Sequence, residues 1–372
     1  NVQCWPPTGS RRLLRFLRTR RGVYGTMSEQ KNNVTSRDVA KLAGVSQATV
    51  SYVLSGNERQ KISEETRERV IRAAGELGYV PNRQAGSLRS RRSGCVSVMM
   101  DKFLQHPRYA GVTEGLRQVL EEQGYRILLC SERQENGYPQ YLAAFLEKRA
   151  DGIVYIGADG KVPPADVLAQ IKERKIPFVT YDCEIADEEI AAVTLDYPAA
   201  VRQVVRRLKE RGCANICYLG PDSAVPQEQQ RREELKRICR RENLSCEEHR
   251  IDMERLSGEG AGEEIGKIHR LLKKIDGDTG LIFAWSSLLN LALAQFDRER
   301  QMPEMAVLTD DCMRTFASWR FADKILYSDL KNRLCGEACG KELLRQMKHP
   351  GSRAKRQRIL PGLLEGGAKS LV

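Results

Sequence analysis

The chain has 372 residues, 41% of them hydrophobic, and a formal net charge of +12. Such a length suggests two or three domains with enough apolar content for packed cores. No run approaches the ~20 apolar residues that span a bilayer, so a soluble protein without a membrane partner is expected. The charge is uneven: residues 1–94 carry 18 Lys+Arg against 7 Asp+Glu, leaving about +1 for the rest. A basic N-terminal portion before a neutral remainder points to a polyanion partner for the former.

Residues 1–33 read as a basic extension, either disordered or foreign to the native protein. The segment RRLLRFLRTRR (11–21) holds six Arg and no acid. Met27 opens a natural domain start, and the apolar run before it is too short for a secretory signal.

Residues 34–81 read as three short helices. In TSRDVAKLAGVSQATVSYVL (35–54), Thr35 and Asp38 form a capping-box-like start. Val39, Leu42 and Ala43 predict one apolar stripe. Ala40 and Ala43 are small enough for a second helix to cross closely, and Gly44 suits a left-handed helix end. Ser46 is the expected cap of a second helix that points Val50, Val53 and Leu54 inward. A third helix starts at Ser63, buries Val70, Ala74 and Leu77, and stops at Gly78. Two short helices around such a turn make a helix-turn-helix, whose second helix enters the major groove of DNA.

The strings DVAKLAGVS, TVS, SEETRERV and ELGY, followed by Pro81-Asn82-Arg83-Gln84-Ala85-Gly86-Ser87-Leu88, resemble the DNA-binding region of the lac-repressor family throughout 34–88. The resemblance implies roles residue by residue. Gln47 and Ala48 fall where the family reads base edges; Gln suits adenine and Ala a thymine methyl. Thr35, Ser46, Thr49 and Ser51 are candidate phosphate anchors, although solvated helix surface is an equal reading for Ser51. Tyr52 stands where the family carries Arg, which predicts a changed base preference there. Residues 82–94 match the hinge helix and linker. Asn82, Arg83 and Ala85 belong to its DNA-binding set, and Leu88 takes the place of the leucine that wedges into the minor groove. Arg89, Arg91 and Arg92 are further candidate phosphate partners, whose contribution should weaken with salt; a basic interdomain linker is the plainer reading.

From Cys95 to the end, apolar runs alternate with helical stretches. Strands are expected at 95–100, 125–130, 152–157, 177–182, 191–196, 215–220, 280–285 and 305–310. Helices are expected at 109–123, 140–149, 165–175, 198–211, 226–242, 258–274 and 287–300. Such alternation predicts doubly wound parallel sheets. The fold class is therefore an all-α helix-turn-helix domain plus an α/β domain of two doubly wound subdomains. The latter resembles the family's periplasmic-binding-protein-like sensing and dimerisation domain.

Ligands of open α/β sheets sit beyond the strand carboxyl ends. Asp182, Trp285 and Asp310 end strands there. Arg231 matches the family's ligand-clamping Arg within one residue, so Arg232 is an alternative. Each has a plainer reading: helix capping for the two Asp, a solvated charged helix for the Arg pair, core for Trp285. The family pattern also lapses at Trp285-Ser286, at Leu308-Thr309 and in the early loop Gln105-His106-Pro107-Arg108-Tyr109.

Eleven scattered cysteines suit reduced thiols in a cytoplasm. Cys213/Cys217 and Cys335/Cys339 share a helical i, i+4 spacing. No histidine completes a metal site beside them, so buried small hydrophobes are expected. No P-loop, GxGxxG, HExxH or GxSxG motif supports an enzyme or a cofactor. The resemblance implies a homodimeric repressor on double-stranded operator DNA, controlled by a small-molecule effector, sugar-like by default. A constitutive DNA-binding regulator with a degenerate cleft is the alternative.

Overall fold

The computed structural model describes residues 34–54, 61–80, 92–100, 107–157, 160–296, 302–309 and 321–365. The chain forms two compact units that divide between Gly86 and Ser87.

The first unit is helical: α1 (Ser36–Ala43), α2 (Gln47–Leu54) and α3 (Glu64–Glu76). The Asp38 carboxylate accepts hydrogen bonds from the Thr35 backbone N–H (2.8 Å) and hydroxyl (2.7 Å), fixing the entry into α1. Gly44 ends α1 at φ 64°, a conformation without a side-chain penalty only for glycine. The Ser46 hydroxyl accepts from the Thr49 N–H at 3.1 Å and starts α2. Val39, Ala40, Ala43, Val50, Val53, Val70, Ala73 and Ala74 form the core, with Leu54 and Leu77 half-buried against it. Leu42 departs from expectation: it is 51% exposed. Ala40 takes the inward place, because a small side chain lets the neighbouring helices approach where Leu would hold them apart.

The second unit contains two six-stranded sheets. The elements of its first lobe are β1 (Cys95–Met99), α4 (Pro107–Glu121), β2 (Arg126–Cys130), a hairpin of β3 (Gln134–Glu135) and β4 (Tyr138–Pro139), α5 (Gln140–Leu146), β5 (Ile153–Ile156), α6 (Ala165–Glu173), β6 (Phe178–Tyr181) and β7 (Ala191–Leu195). The second lobe follows with α7 (Tyr197–Glu210), β8 (Asn215–Pro221), α8 (Pro226–Glu242), β9 (Ser245–Ile251), α9 (Met253–Leu256), α10 (Ala261–Lys274), β10 (Thr279–Phe283), α11 (Ser286–Leu293), β11 (Met305–Val307) and β12 (Ile325–Asp329). The chain then returns to the first lobe with α12 (Asn332–Lys348) and β13 (Arg356–Ile359), and crosses back with β14 (Gly362–Glu365).

The strand orders are β2-β1-β5-β6-β7-β13 and β9-β8-β10-β11-β12-β14. Within these two sheets every described pairing is parallel except β12–β14. Strands such as IVYI of β5 and FVTY of β6 are buried along their whole length, as expected when helices cover both sheet faces. Each order reverses beside its first strand, between β1 and β5 and between β8 and β10. Three crossings join the lobes, at 195–197, 329–332 and 359–362. Two are tied side by side, the Asp196 N–H donating to the Ile359 carbonyl at 3.0 Å. Returning helix α12 packs on α4 almost backbone to backbone: a Cβ on Gly336 would overlap the Val112 carbonyl, and one on Gly115 the Arg333 carbonyl.

The sequence reading missed β9, β12, α12 and the last two strands. It also extended β10 to Trp285, whereas the strand stops at Phe283 and Trp285 precedes α11. The helix expected at 258–274 is α10, which opens at Ala261, and the short helix α9 before it was not expected. Cys213 and Cys217 share no helix: Cys213 precedes β8, and Cys217 lies within it. Both are buried, as are Cys335 and Cys339 on α12. Among the described residues no group of three metal-ligating side chains occurs. No helix there is long and apolar enough to cross a membrane.

Candidate functional site

Two places gather the singled-out residues. In the helical unit, Thr35, Ser46, Gln47, Ala48 and Ser51 are exposed, and Thr49 and Tyr52 are half-buried. The tight turn at Gly44 brings the start of α2 beside that of α1. The Gln47 amide there donates to the Ser36 hydroxyl at 2.7 Å. Ser46 and Thr49 share a 2.9 Å hydrogen bond. The start of α2 thus presents an amide, a methyl group and three hydroxyls without an acidic side chain among them. Such a face can pair with base edges and phosphates. Asn82, Arg83, Ala85, Leu88, Arg89 and Arg91 lie outside the described residues.

The second place is the cleft of the α/β unit, at the carboxyl ends of the strands. Asp182 follows β6 in a left-handed conformation (φ 56°) and is 5% exposed. It caps no helix; Asp196 caps α7, accepting from the Ala199 N–H at 2.9 Å. Asp182 instead accepts from the Arg108 guanidinium at 2.6 Å and from the Tyr197 hydroxyl at 2.8 and 2.9 Å. Arg108 also donates to Tyr197 at 2.6 Å and to the Tyr181 hydroxyl at 3.3 Å. Burial works against a charge on Arg108, yet Asp182, Tyr181 and Tyr197 outweigh it and hold its pKa well above the ordinary value. Arg108 starts the helix after β1, beside the switch point of the first sheet, where such folds place ligands.

The second lobe contributes a matching cluster. Arg231 is 4% exposed and stacks on the Tyr197 ring, 4.7 Å from its centre. It pairs with Glu228, one turn earlier on α8, and its Nε is buried without a partner. The Glu228 carboxylate also accepts from the Trp285 indole at 3.0 Å and the Tyr218 hydroxyl at 3.1 Å. Burial pushes the Tyr218 and Tyr197 hydroxyls well above their ordinary pKa. Trp285 is half-buried: it packs against the core of the second lobe while its indole reaches Glu228. Arg232 points elsewhere, donating to the Ser223 carbonyl at 2.7 Å and so holding the loop after β8. The charged character of α8 misleads: both Arg are buried, not solvated. Asp310 lies outside the described residues.

Asp182 also borders a cavity of about 530 Å³, lined further by Glu184, Thr194, Gln227 and Arg358. The Gln227 amide donates to the Asp182 carbonyl at 3.4 Å, linking the lobes. Arg108, Tyr197 and Glu228 were not singled out from the sequence. For Arg108 a signal existed, since it breaks the family's loop pattern. Glu228 was hidden among the many charges of α8.

A three-helix unit whose first two helices meet at a tight turn, followed by a two-lobed α/β unit with a polar cleft, is an architecture of bacterial regulatory proteins. The model for bacterial regulatory proteins of the lacI family matches residues 35–82. The model for periplasmic binding proteins and the sugar binding domain of the LacI family matches residues 95–243. The two matches together span more than half of the chain, which belongs to the lacI family. It is 36% identical over 192 residues to the maltose regulon regulatory protein MalI of Escherichia coli (strain K12), covering 51% of this chain and 55% of the relative. It is 31% identical over 204 residues to the regulator CelR of Thermobifida fusca, covering 53% and 58%. The matched stretch spans little more than half the length of these two relatives. Among solved structures, a lac repressor dimer bound to operator and the anti-inducer ONPF aligns over 90% of this chain and 98% of its own, with TM-score 0.68 and 20% identity. A complex of the regulator CelR with cellobiose covers 90% and 100%, with TM-score 0.57 and 23% identity.

Proposed function

We propose that the chain is a sequence-specific, operator-binding transcription repressor whose affinity for DNA is set by a small effector in the cleft between its lobes. The observation that carries this reading is the convergence of Arg108 and Asp182 from one lobe with Arg231 from the other on Tyr197, at the crossing between them, with Trp285 joined to Arg231 through Glu228. A ligand touching both sets favours one lobe pose over another, and only such differential affinity can shift a population. In this reading Gln47 and Ala48 read base edges, Tyr52 reads or contacts one further base pair, and Thr35, Ser46, Thr49 and Ser51 hold phosphates. Asn82, Arg83, Ala85 and Leu88 form the hinge contact to the minor groove, and two copies of the chain bind two half-sites. Asp182, Arg231, Trp285 and Asp310 contact the effector. A sugar-like effector is supported by the matched sugar binding domain and by the cellobiose complex of the similar CelR structure.

The deciding experiment is binding-site selection by purified protein from random duplex DNA at moderate salt. A palindrome with fixed half-site spacing is expected. Recovery of no common sequence, with purely salt-sensitive binding, overturns the proposal.

A second reading, a constitutive regulator with a degenerate cleft, is favoured by one observation. The carboxylates of Asp182 and Glu228 already hold protein partners, so a sugar hydroxyl must displace Arg108, Tyr197 or Trp285 to reach them. Thermal melting with cellobiose and with maltose separates the two. An effector raises the midpoint by mass action, and a dead cleft leaves it unchanged.

A further inference from the structure

Away from the cleft, the far end of α8 and the start of β9 bring two cysteines together. Helix α8 ends at Asn243 in a left-handed cap (φ 55°), and the Leu244 N–H turns back to the Cys239 carbonyl at 2.9 Å. This reversal lays β9 directly along the helix it has just left. Side chains at i, i+4 and i+7 share a helix face, and side chains at i and i+2 share a strand face. Arg232, Lys236 and Cys239 therefore line one stripe of α8, and Cys246 and Glu248 line one face of β9. The contacts agree with this register: Glu248 lies 3.7 Å from Arg232 and 3.5 Å from Lys236. The same register, two residues earlier on β9 and one turn later on α8, sets Cys246 beside Cys239.

The two thiols differ in what reaches them. Cys239 is 1% exposed within the core of the second lobe, whereas Cys246 is exposed on an edge strand. Neighbouring Cys239 and, against burial and Glu248, nearby Lys236 hold the Cys246 thiol below its ordinary pKa. Glu248 itself is paired with Arg232, Lys236 and Arg250. An exposed thiol with a second, buried thiol set behind it is the arrangement of a peroxide-reactive cysteine and its resolving partner.

We propose that Cys246 and Cys239 form a reversible oxidation site whose co-substrate is hydrogen peroxide. The Cys246 sulfur attacks one peroxide oxygen, the O–O bond breaks, and the other oxygen leaves as water after taking up a proton. Cys246 becomes a sulfenic acid. The Cys239 sulfur then attacks the Cys246 sulfur, the S–O bond breaks, and hydroxide departs as water with the Cys239 proton. Two thiols give up two electrons, the peroxide accepts them, and one disulfide and two waters result. A small dithiol reverses the reaction by exchange. The bond would fasten the end of α8 to β9, on the same helix that carries Glu228 and Arg231 into the cleft.

The test treats the full chain, folded and reduced, with hydrogen peroxide near stoichiometry, followed by alkylation of remaining thiols and peptide mapping. One intramolecular Cys239–Cys246 crosslink is expected, formed at least about tenfold faster than oxidation of the buried cysteines, and reversed by dithiothreitol. In C239S, Cys246 should instead be trapped as a sulfenic acid by a 1,3-dione probe. In C246S, whose replaced side chain is exposed and whose folding is checked by its melting curve, Cys239 should stay reduced. The proposal is overturned if Cys246 remains reduced while other cysteines oxidise, if it pairs with any cysteine other than Cys239, or if C246S oxidises at Cys239 as fast as the unaltered chain.

Discussion

The helical unit and the cleft of the α/β unit handle polar groups in opposite ways. On the first, Gln47, Ala48 and Ser51 face solvent. In the second, Arg108, Asp182, Glu228 and Arg231 are removed from water and paired with one another and with tyrosines, the Nε of Arg231 excepted. An exposed recognition face is nearly free of folding consequence, so its residues can vary with the partner. A buried ionic cluster is part of the fold, and changing its ligand preference disturbs stability as well. Recognition and stability should therefore separate cleanly in one unit and be entangled in the other.

The strongest way to break that contrast is Asp182→Asn. Asn tolerates the left-handed backbone at this position, so the change isolates the lost charge and leaves Arg108 buried without its counter-ion. Loss of about 3 kcal/mol from the α/β unit is expected, at the low end for a broken buried pair. Denaturant unfolding followed by Trp285 fluorescence measures it; a loss below about 1 kcal/mol contradicts the entanglement. The double change Arg108→Met with Asp182→Asn should recover part of the loss. Gln47→Ala tests the other side. It should cost about 1–3 kcal/mol of specific DNA affinity while stability moves by less than about 0.5 kcal/mol. Titration of the selected site and a melting curve read the two effects on one preparation. Tyr52→Arg sharpens the comparison further, moving the preference at one base pair toward guanine with little change elsewhere; an unaltered selected site counts against a reading role for Tyr52.

The smallest effect concerns pH. Hydrogen bonds from Thr35 hold the Asp38 carboxyl below its ordinary value. A depressed folded-state pKa stabilises above the unfolded value, about 3.9, and the contribution fades as pH falls through the lower folded value. Loosening of the helical unit in acid should accordingly be reduced in Asp38→Asn. Circular dichroism between about pH 5 and 2 checks this, and identical acid transitions would remove the carboxylate from the account.

The same contrast explains what could be read in advance. The helix-turn-helix was legible almost residue by residue because caps, turns and short apolar stripes are local. Leu42 was misplaced because the choice between Leu42 and Ala40 is settled by how closely neighbouring helices approach. Wholly apolar strands such as IVYI announced themselves. Strand β9, written SCEEHRI, did not, because an edge strand keeps its charges. Helix α12 was obscured by the glycines that let it lie against α4, since residues that weaken a helix alone are what this contact demands. In the cleft, Asp182 and Arg231 were found by position, but their partners Arg108 and Glu228 lie 74 and 3 residues away. Nothing local marks which of many charges is drawn inside.

The three crossings at 195–197, 329–332 and 359–362 have a consequence for how the molecule can be cut and exchanged. Neither lobe is a continuous stretch of chain, so no single break separates them. A protease that nicks one crossing leaves the lobes joined by the other two, and the nicked molecule should migrate as an intact particle until it is denatured. Truncation near residue 330, by contrast, would strip α12 from the lobe on which it packs and β13 from that lobe's sheet edge. Grafting a foreign ligand specificity therefore means transplanting the α/β unit whole; its halves are not interchangeable parts.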